Sequence, residues 1–193
     1  MKINKLTSLL AALLLAPAAA TAATYDIDTE GQHAFIDFKV NHLGFAWLHG
    51  RFNDFDGHFS FDPEDPEAAS TEITIQTESV DSNHAERDRH LRSDDFLHVD
   101  EYPEARFVST ESKLDSDGNG TVTGELTLHG TTREVTLDVE HIGAGEDPWG
   151  GIRRGFYATT KFDMRDFGID EEGNLGDAGQ DVKLSISVEG IQR

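Results

Sequence analysis

The stretch Val182-Lys183-Leu184-Ser185-Ile186-Ser187-Val188-Glu189 alternates apolar and polar residues without a break. A period of two puts Val182, Leu184, Ile186 and Val188 on one face of a strand and Lys183, Ser185, Ser187 and Glu189 on the other. The same pattern recurs up the chain. Ala34, Ile36, Phe38 and Val40 alternate with Phe35, Asp37, Lys39 and Asn41; Phe55, Gly57, Phe59 and Phe61 alternate with Asp54, Asp56, His58 and Ser60. Val122, Gly124, Leu126 and Leu128 alternate with Thr123, Glu125, Thr127 and His129, and Val135, Leu137 and Val139 with Glu134, Thr136 and Asp138. Shorter runs are Ile73, Ile75, Thr77 and the segment from Phe107 to about Glu111, while Phe156, Ala158, Thr160 and Phe162 complete a set of eight. Turn-forming pairs separate the runs: Asp62-Pro63, Asp65-Pro66, His129-Gly130, Gly150-Gly151 and the Gly/acid stretch 168–179. Only residues 81–100 break the pattern. There Ser82 or Asn83 can cap a short helix running through residues 84–91, with Tyr102-Pro103 as the stop.

Eight half-apolar strands predict an all-β antiparallel fold, a sandwich or a closed barrel with a short helical insertion near residues 82–100. Eight strands close into a barrel whose interior is filled by side chains or holds one small ligand. Gly57, Gly124 and Ala158 on the apolar faces fit either a cavity for an apolar guest or tight packing.

The 193 residues make one domain, with no internal repeat or long linker. Zero Cys removes disulfides, thiolate catalysis and Cys-ligated metal sites. A net charge of −21 argues against binding a nucleic-acid backbone and against docking on anionic lipid surfaces. Hydrophobic content of 37%, with 12 Phe, is too high for a disordered acidic chain. Residues 1–22 read as a secretory leader: Lys2 and Lys5, an apolar run over 9–20, and a small-x-small ending at Ala20-Thr21-Ala22. The apolar run is too short to span a bilayer, which needs about 20 residues. The mature domain is then residues 23–193, with a charge of −23 once two lysines have gone. Its acids lean to Asp (21 of 37), and ten of its 14 basic residues are Arg, a surface suited to strong salt or simply to an acidic exported protein.

Three patterns resemble chemistry. His84 and Asp88, and Glu86 and His90, stand four apart, so each pair shares a helix face and can offer metal ligands; a third ligand is not evident. Asp115-Ser116-Asp117-Gly118-Asn119-Gly120 opens like a calcium loop, but position twelve is Leu126, so a hairpin turn fits better. Arg87, Arg89 and Arg92, and then Arg153-Arg154, are the densest basic clusters. A guanidinium fork suits a carboxylate or diphosphate, and local charge balance explains the same clusters. No G-x-S-x-G and no phosphate loop occurs.

The ordered set of motifs resembles the YceI family. It comprises Asn41-His42-Leu43-Gly44, Gly57-His58-Phe59-Ser60-Phe61, the run 83–93 with Asp95-Phe96, and Tyr102-Pro103 followed by Phe107 and Ser109. It continues through the run 124–130, Asp166-Phe167-Gly168 and Ser187-Val188-Glu189-Gly190. Asp147-Pro148-Trp149-Gly150-Gly151 is similar to the enterobacterial members in particular. The resemblance implies an elongated lipocalin-like barrel, exported to the periplasm, that holds a long isoprenoid, a quinone or a similar lipid in its interior. It implies no catalytic residue and no cofactor besides that lipid, and dimers occur in the family. Met164-Arg165 departs from the Arg-Ser pair that many relatives carry before Asp-Phe-Gly, which weakens any headgroup role there. On this reading the tail lies along Phe38, Val40, Phe59, Ile75, Leu126, Leu128 and Phe162. Leu43, Phe45, Trp47 and Phe96 line or close the entrance, His42 is a further lipid contact, and Arg87, His90 and Arg92 hold a polar head. The rivals are a metal-dependent hydrolase built on His84, Asp88 and His90, and an interaction module with a packed, ligand-free core.

Overall fold

The computed structural model describes residues 22–173, 175–176 and 179–193. The leader reading, apart from Ala22, therefore falls outside the described residues. Eleven strands and one helix follow in chain order: β1 (Ala23–Ile27), β2 (Phe35–His42), β3 (Ala46–Phe52), β4 (Phe55–Phe61), β5 (Ser70–Gln76), β6 (Val80–Asp81), α1 (Ala85–Arg92), β7 (Glu104–Leu114), β8 (Gly120–Leu128), β9 (Thr131–Glu146), β10 (Ile152–Asp163) and β11 (Asp181–Gln192). Every pairing is antiparallel. Tyr25 of β1 stands opposite both Phe59 of β4 and Gln192 of β11, which closes the ring β1-β4-β5-β7-β8-β9-β10-β11. The fold is thus a closed eight-stranded barrel and not a sandwich.

The N-terminal part of β11 pairs with β2 instead, Leu184 opposite Phe38, and β2 continues through β3 to β6. β1 and β2 therefore share one edge of β11, and the β2-β3-β6 ladder prolongs the wall at one end of the barrel. The eight alternating runs are all strands, and β1, β3 and β6 are the additions. β3 hides because its inward side carries Gly50, over which the Phe38 ring lies so closely that a Cβ would fall 2.3 Å from Cζ. The other two are too short to display a period.

The inward faces carry the core. Phe59 stacks on Tyr25 with centroids 5.1 Å apart and meets Phe156 edge-on at 5.3 Å. Two of the three small positions are packing devices. A Cβ on Gly124 would meet the Phe107 ring at 2.5 Å, and one on Gly57 would meet the Glu72 carbonyl at 2.4 Å. The segment 115–120 is a hairpin turn: Asp115 Oδ1 accepts from the backbone N–H groups of Asp117, Gly118 and Asn119 at 2.8 to 3.0 Å.

The helix cap differs from expectation. His84 is the cap, its Nδ1 accepting from Arg87 N–H at 3.2 Å. Ser82 is committed elsewhere, its N–H donating to the buried Asp88 carboxylate at 2.7 Å. The helix ends at Arg92, well before Tyr102-Pro103. Arg87 and Arg92 fasten it to the β6 end of the wall. Arg87 donates to the Ser82 hydroxyl and carbonyl at 2.7 and 2.6 Å, and Arg92 to the Glu78 and Val80 carbonyls at 2.6 Å.

At the opposite end Arg153 ties three segments together. Its Nε donates to Asp147 and its Nη1 to Asp28, both at 2.6 Å, and Nη1 also donates to Glu189. The Arg153 hydrogen bonds hold the carboxyls of Asp28 and Asp147 below the ordinary Asp value. A carboxylate whose folded pKa lies below its unfolded value of about 3.9 stabilises the fold above that pH. The gain is lost as pH falls through the folded pKa. The Tm advantage of the parent over an Arg153→Met variant is therefore expected to be constant from pH 7 to about 5. Thermal unfolding should then show it shrinking steadily on acidification; a pH-independent gap would sink the assignment.

Candidate functional site

Two apolar cavities lie end to end inside the barrel. The upper one, about 80 Å³, is walled by Phe61, Ile73, Val122, Leu137, Phe156 and Ala158 among others. The few polar side chains on its wall are spent on one another and on the backbone. Ser60 and Ser70 share a hydroxyl contact at 2.8 Å, and Ser112 donates to the Ala69 carbonyl at 2.7 Å. The lower cavity, about 130 Å³, is lined by apolar side chains alone. The strands pass from one cavity to the other: Val122 faces the upper and Leu126 the lower on β8, Ala158 the upper and Phe162 the lower on β10. Between them, at the level of Gly124, Val135 stands across the β8–β9 ladder and the Phe107 ring lies over the glycine.

Two irregular segments cover the lower cavity. Leu91, Phe96 and Leu97 come from α1 and the turn after it; Met164, Ile169 and Leu175 come from the connection between β10 and β11. Asp170 pins that connection. Its Oδ2 accepts from Gln180 Nε2 at 2.8 Å and from Leu175 N–H at 3.0 Å. None of these lid residues stands on an alternating strand, so periodicity could not pick them out; Ala105, which also lines the cavity, lies just before the run that starts at Phe107.

Of the residues read from sequence as lipid-binding, Phe38, Val40, Ile75, Phe96, Leu126, Leu128 and Phe162 all line the lower cavity, and Phe59 lines the upper one. Four others lie outside both. His42 is exposed at the end of β2, and Leu43, Phe45 and Trp47 are 52%, 86% and 43% exposed on the β2–β3 hairpin. The alternation explains this, because Trp47 stands opposite Asn41 and so belongs to the polar, outer face.

The head-binding candidates also have partners already. Arg87 and Arg92 are occupied by the backbone as described. His90 Nε2 lies 3.1 Å from Asp95 Oδ2, with its ring edge-on to Phe96 at 4.9 Å. His84, Asp88 and His90 do not converge, since each contacts a different group. Among the described residues the one grouping with metal-ligand geometry is Asp28, His33 and Glu189, and the Arg153 guanidinium sits against its two carboxylates. A cation missed by the sequence reading of the head is Arg154. Its guanidinium lies 4.5 Å from the centre of the ring of Phe61, a residue that lines the upper cavity, and its Nε is buried with no hydrogen-bond partner among the described residues. Its Nη1 lies 3.3 Å from His141 Nε2.

A closed antiparallel barrel with an uncharged, apolar lumen under a two-part lid is the lipocalin-like class of container. Within that class the chain belongs to the YceI-like family, whose domain model matches residues 25–190. It is 52% identical to Protein YceI of Escherichia coli over 193 residues, the full length of both. It is 54% identical to the UPF0312 protein of Serratia proteamaculans over 181 residues, covering 94% of this chain and 93% of that one. Among solved structures, the Campylobacter jejuni YceI protein superposes with a TM-score of 0.71 at 30% identity, covering 80% of this chain and 91% of the other. A polyisoprenoid-binding domain from Saccharophagus degradans has the same fold, with a TM-score of 0.64 at 15% identity, covering 90% of this chain and all of that one.

Proposed function

We propose that this protein is a non-enzymatic periplasmic carrier of a long-chain isoprenoid or similar amphiphile, held along the barrel axis. The observation that carries the reading is the pair of apolar cavities in line, sharing the same strands and free of charged groups. Burial of a chain there contributes roughly 0.8 kcal/mol per methylene before ordering costs. An apolar cavity of about 150 Å³ stays dry and accepts a molecule the size of benzene. Each cavity alone is therefore too small for a long tail. A tail occupies both, and the side chains at the Gly124 level move aside to join them. The lid of irregular segments at the lower end supplies the way in.

The head is better served by Arg154 than by Arg87 or Arg92. Arg154 packs against Phe61 of the upper cavity wall with an unsatisfied Nε, and a diphosphate, carboxylate or quinone oxygen would supply the missing acceptor. The family supports the same reading, since the Saccharophagus degradans relative is a polyisoprenoid-binding domain. Export to the periplasm follows from residues 1–22 read as a leader cleaved after Ala22.

Native mass spectrometry of the mature chain purified from its own periplasm tests this. The expected result is one lipid per barrel, released by solvent and identified as an isoprenoid or acyl chain. A barrel that is empty as purified and takes up no added long-chain lipid would overturn it.

A further inference from the structure

The chain has six lysines, and four remain after the leader: Lys39, Lys113, Lys161 and Lys183. Three of those four stand abreast on the outer face of three neighbouring strands. Lys183 of β11 is directly opposite Lys161 of β10 on one side and Lys39 of β2 on the other. Like charges opposite one another weaken a sheet, and the rest of the surface is rich in carboxylates that could have separated them. Lys161 has a partner in Asp181 at 2.7 Å. Lys39 and Lys183 have no carboxylate partner among the described residues; both ammonium groups lie over the Trp47 ring, at 5.3 and 4.7 Å. Among the described residues, Asp138 also lies near the row, on the far side of Lys161, and Asp37 lies 3.7 Å from Arg51.

Trp47 connects this row to the β2–β3 hairpin tip, where Leu43 and Phe45 project into solvent, Phe45 at 86% exposure. The tip is built to do so. Asn41 Oδ1 accepts from Gly44 N–H at 2.6 Å, and Leu43 adopts φ 54°, a conformation disfavoured for a bulky side chain. The tip also stands beside the lid. The Asn41 carbonyl lies 3.2 Å from where a Cβ on Gly179 would be, at the end of the segment that covers the lower cavity.

We propose that the tip and the lysine row form a docking surface for an anionic phospholipid bilayer. Leu43, Phe45 and the Trp47 ring enter the headgroup region, and Lys39 and Lys183 meet lipid phosphates. Charge complementarity selects this occupant. The net charge of the whole chain opposes approach to an anionic surface, but at physiological salt charges beyond about 8 Å are screened, so the local row decides. Docking would set the lid of the lower cavity against the bilayer. It extends the carrier reading but does not depend on it, because the surface lies outside the lumen.

The test uses the mature chain with Trp149→Phe, which leaves Trp47 as the single indole, and vesicles of phosphatidylglycerol or phosphatidylcholine. Trp47 emission is expected to shift to the blue with phosphatidylglycerol and not with phosphatidylcholine. Phe45→Ser should weaken binding about tenfold or more. Lys39→Gln and Lys183→Gln should each weaken it about fivefold, with circular dichroism unchanged. Equal binding to both vesicles, no binding to either, or unaltered binding by the variants would each overturn the proposal. Uptake of a detergent-dispersed isoprenoid, followed in parallel, reports on the lumen separately. Retained uptake without vesicle binding would sink the docking surface alone, and vesicle binding without uptake would sink the carrier reading alone.

Discussion

An Ala105→Phe chain is expected to keep its fold and lose its long-chain ligand. Ala105 is 4% exposed on β7, and its methyl group forms part of the lower cavity wall. A benzyl group in its place grows into a cavity of about 130 Å³ that no side chain now fills. Overpacking a well-filled core costs about 1–3 kcal/mol, but here the added ring finds space, so the penalty is offset by the apolar surface it buries. A tail must run through the same volume to be held along the barrel. Its affinity should fall at least 100-fold, or about 2.8 kcal/mol at 1.4 kcal/mol per decade. Displacement of a fluorescent long-chain probe measures this directly. Thermal unfolding of the unliganded protein, expected to lie within a few degrees of the parent, shows that the loss is not one of folding. Undiminished affinity in a folded variant would mean that the tail does not use the lower cavity.

How much of this was legible in the chain depends on how regular each part is. β2, β4, β8 and β11 each offer at least seven residues of alternation, which sets both the strand and its inward face. The lower-cavity wall of Phe38, Val40, Leu126 and Leu128 follows from that phase. The phase ends at the tip. After His42 the chain turns through Leu43 and Gly44, both at positive φ, and returns with Trp47 opposite a polar residue. Hydrophobic type alone therefore put Leu43, Phe45 and Trp47 at an entrance, whereas the pairing puts them on the outside. The lid escaped because Met164, Ile169 and Leu175 sit on a connection with neither period. The helix cap is not legible because Ser82 and Asn83 have the usual capping chemistry, while the Ser82 hydroxyl is taken by the Asp88 carboxylate and by Arg87 Nε from inside the helix.

The scarce cations of this acidic chain separate structure from function more clearly than its abundant acids do. Half of the ten arginines are spent on holding parts together: Arg153 on three carboxylates, Arg87 and Arg92 on β6 and its neighbours, Arg193 on Asp26 and Arg106 on Glu72. A guanidinium fork suits that work because it satisfies several acceptors in fixed geometry. Arg154 departs from this, with a buried Nε left over beside the Phe61 ring. Lys39 and Lys183 depart from it too, since a lysine offers a mobile point charge that suits a fluid surface of phosphates better than a fixed acceptor.

Phe167→Ala is expected to be the most damaging single truncation in the lid. Phe167 is 1% exposed in the 3-10 turn Met164–Phe167, which leads from β10 into the connection covering the lower cavity. Its ring meets Phe162 at 5.1 Å, and its carbonyl accepts from His129 Nδ1 at 3.2 Å. The truncation leaves the backbone bond but removes the ring, at a cost of about 3–5 kcal/mol. For a domain of this size that corresponds to a Tm lower by about 10 °C. The void opens next to Phe162, which lines the cavity, so a bound chain can fill part of it. A saturating long-chain lipid should therefore raise the Tm of the variant by more than it raises that of the parent. Equal shifts, with the full loss in the unliganded protein, would mean that Phe167 braces the wall from outside the path of the tail. An undiminished Tm would mean that the connection between β10 and β11 contributes little to closing this end of the barrel.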